Sequence, residues 1–175
     1  MYDCSHFVQQ LSLMKKYQHQ KDMNGCGIAC MANLLNVSYD EVKMDFENKF
    51  YKIDRGVNIA DIVRYLDTKG LKYKSKFFKR TNSLSTSGKL NRKILNEGNF
   101  NKIKEDMNKY SKLLGSITLI VKSDKYPIGH YLFRIKNGWV DPWLDLPSID
   151  NVRAGVRDEL PDDPWYVLYP IDSVI

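Results

Sequence analysis

A cysteine flanked by glycines, with a glutamine six residues before it, is the feature of this sequence best suited to chemistry. The tract Gly25-Cys26-Gly27 follows Gln20, and apolar side chains then recur at helical spacing as far as Leu35. Cys26 should therefore lie on the first turn of a helix, which Asn24 can cap. The free N–H groups and the dipole of that turn favour a thiolate, the form of cysteine that attacks carbonyl carbon.

A base for this thiol has to come from a distant part of the sequence. The candidates are His6, His19 and His130. His130 is preferred because it opens an alternating, β-rich run that ends at Asn137-Gly138, the strongest short hairpin signal. The returning strand would bring Asp141 beside His130, where a carboxylate can fix the tautomer and orientation of the ring.

The oxygen that becomes negative during attack on a carbonyl needs hydrogen-bond donors. Gln20 can supply its side-chain amide, and the backbone N–H of Cys26 can supply a second donor. Gln18 competes with Gln20 for this role, since it carries the same amide close by in the sequence.

Taken in this order, these residues resemble the papain-like cysteine peptidases that remove double-glycine leaders from bacteriocin precursors, and their stand-alone relatives. The resemblance covers roughly residues 15–78 and 115–170, and its main tracts are Gln20 to Leu35, Gly56 to Ile62, Gly70 to Tyr73, Gly129 to Tyr131 and Asp141-Pro142. It implies a bacterial protein with a papain-like fold. It also implies that Cys26 is the nucleophile, His130 the base and Asp141 the acid that orients it. Gln20 is then the oxyanion donor.

Two features depart from that family. Gly25 stands where the family commonly has an acid, and the polar stretch 79–112 is usually shorter. This stretch is rich in lysine, and we expect it to act as a basic insert that sets substrate choice. The formal net charge of +6 arises largely from this region, whereas the C-terminal part is acidic. We interpret the basic region as a solvated face or as a surface that attracts an acidic protein substrate. No nucleic-acid-binding motif accompanies it, so nucleic acid is not the expected partner.

The resemblance favours a thiol hydrolase, most simply a peptidase that forms a thioester and needs no cofactor. The same triad could instead act on a protein side-chain amide, as in bacterial papain-like toxins and effectors that deamidate glutamine or cleave a host protein. A third alternative is a catalytically silent domain that binds a leader peptide in the same cleft.

The remaining cysteines have simpler interpretations. Cys30 lies one helical turn beyond Cys26, at a spacing typical of a buried core position. Cys4 and His6 could join Cys26 and Cys30 in a zinc site, but the spacings are not those of paired zinc knuckles, and no metal is predicted. Three cysteines are an odd number, which disfavours a disulfide framework.

The sequence also limits the class of protein. No apolar run approaches the roughly 20 residues of a membrane span, and the N-terminus lacks the basic and apolar regions of a secretory signal. These features predict a cytoplasmic protein without a membrane span, although delivery as an effector stays open. With 175 residues, 43% of them apolar, the chain suits one domain over 1–175, either free-standing or excised from a longer chain.

The order of predicted elements indicates an α+β fold, with N-terminal helices packed on a C-terminal antiparallel sheet. Helices are predicted in 1–16, at about 25–36, from residue 39, from Asn58 to Gly70, and around Ile103 and Met107. The tract 81–88 is predicted to be a loop. Strands are predicted at 73–78, 116–122, 130–136, 138–142 and 165–169. The helix that begins at Cys26 should then pack against the sheet that carries His130.

Overall fold

The computed structural model describes residues 16–78, 97–120, 129–145 and 152–171. Over these ranges the chain forms four helices: α1 (Cys26–Leu35), α2 (Tyr39–Lys49), α3 (Ile59–Thr68) and α4 (Glu97–Ser111). The same ranges hold six strands: β1 (Tyr73–Phe77), β2 (Ile117–Ile120), β3 (His130–Ile135), β4 (Gly138–Asp141), β5 (Gly155–Arg157) and β6 (Pro164–Pro170). Three helices precede all the strands, and the predicted α+β class is confirmed.

Local side-chain caps determine where two of the helices begin. The Ser38 hydroxyl accepts a hydrogen bond from the Glu41 N–H at the start of α2, and the Asn58 side chain accepts one from the Asp61 N–H at the start of α3. Each cap satisfies a backbone donor that the first helical turn leaves unpaired. Both predicted starts are therefore confirmed.

Helix α1 begins differently. Its N-cap residue is Gly25, and no described side chain caps it. The prediction that Asn24 caps this helix was wrong, because the Asn24 amide donates instead to the backbone oxygen of Asp54 at 2.7 Å. The N–H groups of the first turn thus keep their capacity to bind an anion beside Cys26.

The described strands form one antiparallel sheet in the order β1-β6-β2-β3-β4-β5. The predicted hairpin joins β3 to β4, with Phe133 opposite Val140 and Ile135 opposite Gly138. β5 was not predicted, since three residues are too few to show a period. Gly138 has a φ of +153°, and a Cβ there would lie 2.4 Å from the Arg157 backbone oxygen. Glycine is therefore needed where β4 pairs closely with β5.

One face of the sheet and helices α1 to α3 enclose the main core. α1 packs against β3, as predicted, through fully buried side chains that include Ile28, Met31 and Phe133. Cys30 also lies in this core and is 0% exposed, which confirms its predicted burial. Burial of these side chains holds the first turn of α1 close to the start of β3.

Helix α4 packs on the opposite face of the sheet. Its Met107 contacts a separate apolar cluster with Phe78 and Val167, whereas the next residue of β6, Leu168, points into the main core. The described part of the basic insert is thus a helix on the far side of the sheet from α1. Residues 1–15 and 79–96, which include Cys4, His6 and the predicted loop at 81–88, lie outside the described residues.

Candidate active site

Three element ends meet where the sheet approaches α1. Cys26 is the first residue of α1, His130 the first of β3 and Asp141 the last of β4. Cys26 lies close enough to the His130 imidazole to raise the pKa of that ring. His130 Nε2 in turn donates to Asp141 Oδ1 at 2.6 Å. The structure therefore brings together three of the four residues that sequence reasoning selected.

The register of the hairpin accounts for the contact between His130 and Asp141. Phe133 lies opposite Val140, so the next pair towards the open end of the hairpin places Asp141 opposite Leu132. His130 is then a diagonal neighbour of Asp141, at a spacing that long side chains bridge. Because Nε2 is used by Asp141, Nδ1 is the ring nitrogen left for the thiol.

Burial and hydrogen bonding act in opposite directions on the pair. The side chains of His130 and Asp141 are 2% and 0% exposed. Burial disfavours the imidazolium, but the hydrogen bonds to Asp141 and Cys26 outweigh it and raise the pKa of His130 to about 9. Burial likewise acts to raise the pKa of Asp141, yet its hydrogen bonds and the His130 charge lower this pKa to about 2. Both shifts favour an imidazolium held by a carboxylate.

Asp141 has further partners that sequence reasoning missed. The Arg157 guanidinium donates to Oδ2 at 2.6 Å, and the Trp143 backbone N–H donates to Oδ1 at 2.9 Å. Arg157 lies on β5, and nothing in the residues around it indicates a site. Only the pairing of β5 with β4 brings it to the carboxylate.

Gln20 lies at the site, with its side-chain donors engaged elsewhere. Its backbone N–H donates to the Pro142 oxygen at 3.2 Å, which ties it to the residue after Asp141. Its side-chain nitrogen donates to the backbone oxygens of Asp22 at 3.0 Å and Met23 at 3.2 Å. Its side-chain oxygen is buried without a partner among the described residues. Donation to an oxyanion would need one of these hydrogen bonds to open, so that role of Gln20 stays a prediction.

Gln18, the competing candidate, is used by the helices. Its backbone N–H donates to the Asn33 side chain at 2.8 Å, and its side-chain oxygen accepts from the Tyr39 N–H at 3.2 Å. Asn33 also donates to the Gln18 backbone oxygen at 2.9 Å. These contacts fasten the segment before Cys26 to α1 and α2.

The glycine before the cysteine is explained by a tyrosine. A Cβ on Gly25 would lie 2.1 Å from the Tyr39 hydroxyl oxygen, closer than any real contact. That hydroxyl donates to Asp22 at 2.7 Å, and Lys43 donates to the same carboxylate oxygen at 3.0 Å. Tyr39 therefore fills the space that a side chain at position 25 would take, and the acid common in the resembled family does not fit here.

An open groove lies beside Tyr131, the residue that follows His130. Gly27 is closely packed, since a Cβ built on it would lie 3.3 Å from Val57 and 3.5 Å from Tyr131. Tyr131 directly follows His130 and is fixed by a hydrogen bond from its hydroxyl to the Val57 oxygen at 3.2 Å. The groove has a volume of about 710 Å³ and is lined by residues of α3 and of the sheet, among them Ile59, Val63, Leu119, Tyr131 and Tyr166.

The described residues hold neither a candidate metal site nor a candidate membrane span. Among them no three histidine, cysteine or acidic side chains come close enough together to hold a metal ion. In the same part of the chain no helix is both long enough and apolar enough to cross a membrane.

Comparisons with known proteins show a weak structural likeness. No protein-family model matches the chain, and a search of curated proteins gave no match. Among solved structures, the chain is similar to the peptidase domain of Streptococcus ComA, a bi-functional ABC transporter involved in a quorum sensing pathway. The sequences are 15% identical, the match covers 90% of this chain and 98% of that one, and the TM-score is 0.48. The function proposed below rests on the chain's own residues.

Proposed function

We propose that this protein is a papain-like cysteine peptidase that uses Cys26, His130 and Asp141 as its triad. One observation carries the proposal: a buried imidazole is hydrogen-bonded to a buried carboxylate, and the thiol at the start of a helix lies close enough to that imidazole to raise its pKa. Burying such a charged pair costs desolvation free energy, which its hydrogen bonds offset. A thiol beside a charged imidazole is the arrangement that a nucleophile needs.

The proposed reaction starts when the Cys26 thiolate attacks an amide carbonyl carbon. A new carbon–sulfur bond forms, and the negative oxygen is stabilised by N–H groups of the uncapped first turn of α1. His130 then gives its proton to the leaving amine as the carbon–nitrogen bond breaks, which leaves a thioester. Water attacks this thioester while His130 accepts one of its protons, the carbon–sulfur bond breaks, and the acid product leaves with the Cys26 thiolate and the His130 imidazolium restored.

The groove beside Tyr131 supports a peptide as the substrate. Its lining includes Tyr131, the residue after His130, and consists mainly of apolar and aromatic side chains of α3 and the sheet. An extended peptide could place its apolar side chains there while a backbone carbonyl lies at Cys26. We propose no cofactor, since each step needs only the thiol, the imidazole and water.

The first test measures the reactivity of the thiol. Alkylation by iodoacetamide at neutral pH should be fast in the wild type and slow in His130→Ala, because only an activated Cys26 reacts quickly. Cys30→Ala is the matched control, since Cys30 is buried in the same helix and its loss should leave the fast reaction in place. Slow alkylation in the wild type, or fast alkylation in His130→Ala, would contradict the proposal.

The second test identifies the reaction. Mass spectrometry of a diverse peptide pool after incubation should show pairs of fragments whose masses sum to a parent peptide plus one water. Conversion of glutamine to glutamate in uncut peptides would instead show a deamidase. A reactive Cys26 with neither change, together with tight peptide binding, would show a binding domain.

A further inference from the structure

Arg157 reaches the triad from a strand far away in the sequence. Its Nε donates to Asp141 Oδ2 at 2.6 Å, and a terminal nitrogen of the same guanidinium donates to the Leu144 oxygen at 2.6 Å. The side chain is only 20% exposed, and the carboxylate that it contacts is 0% exposed. Such a partly desolvated, charge-assisted hydrogen bond is much stronger than an exposed ion pair.

The two oxygens of Asp141 have different partners. Oδ1 accepts from His130 and from the Trp143 N–H, while Oδ2 accepts from Arg157. A carboxylate held at both oxygens cannot rotate about its terminal bond without breaking a strong contact. Arg157 thereby fixes the plane in which Oδ1 faces the imidazole.

The positive charge of Arg157 also favours the ionised form of the Asp141 carboxylate. Burial of a lone carboxylate at this position would favour its protonation, and a protonated acid is a poor acceptor for an imidazolium. The ionisable groups that act on Asp141 include His130 on β3, Arg157 on β5, and Cys30 on α1, whose pKa burial raises well above its ordinary value. Arg157 keeps its positive charge across the working pH range, whereas His130 loses its charge as the pH rises through about 9.

The fold is arranged to bring this arginine in. Gly138 allows β5 to approach β4, as described above, and Gly155 allows Leu144 to approach β5. A Cβ on Gly155 would lie 2.4 Å from the Leu144 side chain. Two glycines without side chains thus let β5 pair with the strand that ends at Asp141.

We propose that Arg157 is a positioning residue of the active site, which holds Asp141 ionised and oriented towards His130. The inference rests on the proposed peptidase function. In this role Arg157 acts on the imidazole through the carboxylate.

The experiment follows the alkylation of Cys26 by iodoacetamide from about pH 5 to pH 9, together with thermal melting, in a set of variants. Arg157→Gln and Arg157→Met remove the charge, and Arg157→Lys keeps it. Arg153→Gln is the matched control, because Arg153 also pairs with an aspartate, Asp145, but is 61% exposed.

If the inference holds, loss of the charge lets Asp141 take up a proton at higher pH than in the wild type. The acid side of the alkylation profile should then shift to higher pH in Arg157→Gln and Arg157→Met, with the rate near pH 6 reduced about tenfold. Arg157→Lys should recover part of this rate, because an ammonium restores the charge but not the fixed two-point geometry. Arg153→Gln should match the wild type.

Other outcomes overturn the inference. Profiles of the same shape as the wild type in folded Arg157→Gln and Arg157→Met would show that Arg157 only joins two strands. Failure of both variants to fold, while Arg157→Lys folds, would likewise assign it to the fold alone. These results leave the peptidase proposal in place as long as alkylation still depends on His130. Loss of that dependence in the wild type would instead remove the proposed function itself.

Discussion

At the scale of single residues, two cysteines on one helix occupy very different environments. Cys26 is partly exposed at the start of α1 and lies beside His130, whereas Cys30 is completely buried in the core. Exposure and an imidazole partner make a thiol reactive, while burial in apolar surroundings makes it inert.

This contrast predicts opposite effects for two small substitutions. Cys26→Ala should abolish peptide cleavage and leave the melting temperature nearly unchanged, since the residue starts a helix and fills little core volume. Cys30→Ala should retain cleavage and lower the free energy of unfolding by roughly 1–2 kcal/mol through the cavity that it leaves. Activity assays and urea denaturation check both. Near-full activity in Cys26→Ala would remove that residue from the mechanism.

Replacement of the acid should reduce activity less than replacement of the base. His130→Ala should be as damaging as loss of the thiol, because the two act as a unit. Asp141→Asn should reduce the rate by about 10³–10⁴-fold, the range expected when a triad acid loses its charge. Single-turnover rates on a cleaved peptide measure both. Full activity in a folded Asp141→Asn variant would show that another group orients the imidazole.

At the scale of elements, the approach of the chain to α1 depends on the packing of Gly25 against Tyr39. The Tyr39 hydroxyl lies where a side chain at position 25 would be, and it also binds Asp22 in the turn before Cys26. The first residue of α2 thus fixes the segment that leads into α1.

A double-mutant cycle tests this packing. Gly25→Ala should displace Tyr39 and lower the free energy of unfolding by about 1–3 kcal/mol, as overpacking does elsewhere. Tyr39→Phe removes the clashing oxygen, so the double variant should be more stable than the sum of the single effects predicts. Urea denaturation of the four proteins gives the coupling energy. Strict additivity would show that the two positions do not compete for space.

At the scale of the whole molecule, the buried His130–Asp141 pair links the stability of the fold to pH. Burial opposes the imidazolium, but hydrogen bonds to Asp141 and Cys26 prevail and raise the pKa of His130 to about 9 in the folded state. In the unfolded chain the pKa of histidine is about 6.5. The folded state therefore binds the proton more tightly.

The sign of this linkage gives a prediction. The stabilisation due to His130 is fully present below about pH 6.5 and is lost as the pH rises through about 9. The free energy of unfolding of the wild type should therefore exceed that of His130→Ala by more at pH 6 than at pH 9.5. Urea denaturation at several pH values checks it, with Cys30→Ala as a variant whose difference should vary less. A difference that stays constant for His130→Ala would contradict the raised pKa.

Many local elements could be predicted because their signals lie within a few adjacent residues. Ser38 and Asn58 mark helix starts through a side chain that reaches the third residue onward, and Asn137-Gly138 marks a turn through its own backbone preferences. The α+β class follows from the order of these elements. The hairpin around Asn137-Gly138 led to the expectation that Asp141 lies near His130. The catalytic roles of both residues stay predictions.

The features that only the tertiary structure decided depend on residues distant in sequence. The Asn24 cap failed because Asp54, thirty positions away, offers a competing acceptor. Tyr39 occupies the space beside Gly25, and β5 delivers Arg157 to Asp141, through packing and pairing that no local pattern encodes. The sequence by itself determined which groups are available for chemistry and the local geometry around them. Long-range burial and strand pairing decided how their charges are balanced, since those forces depend on distance in space.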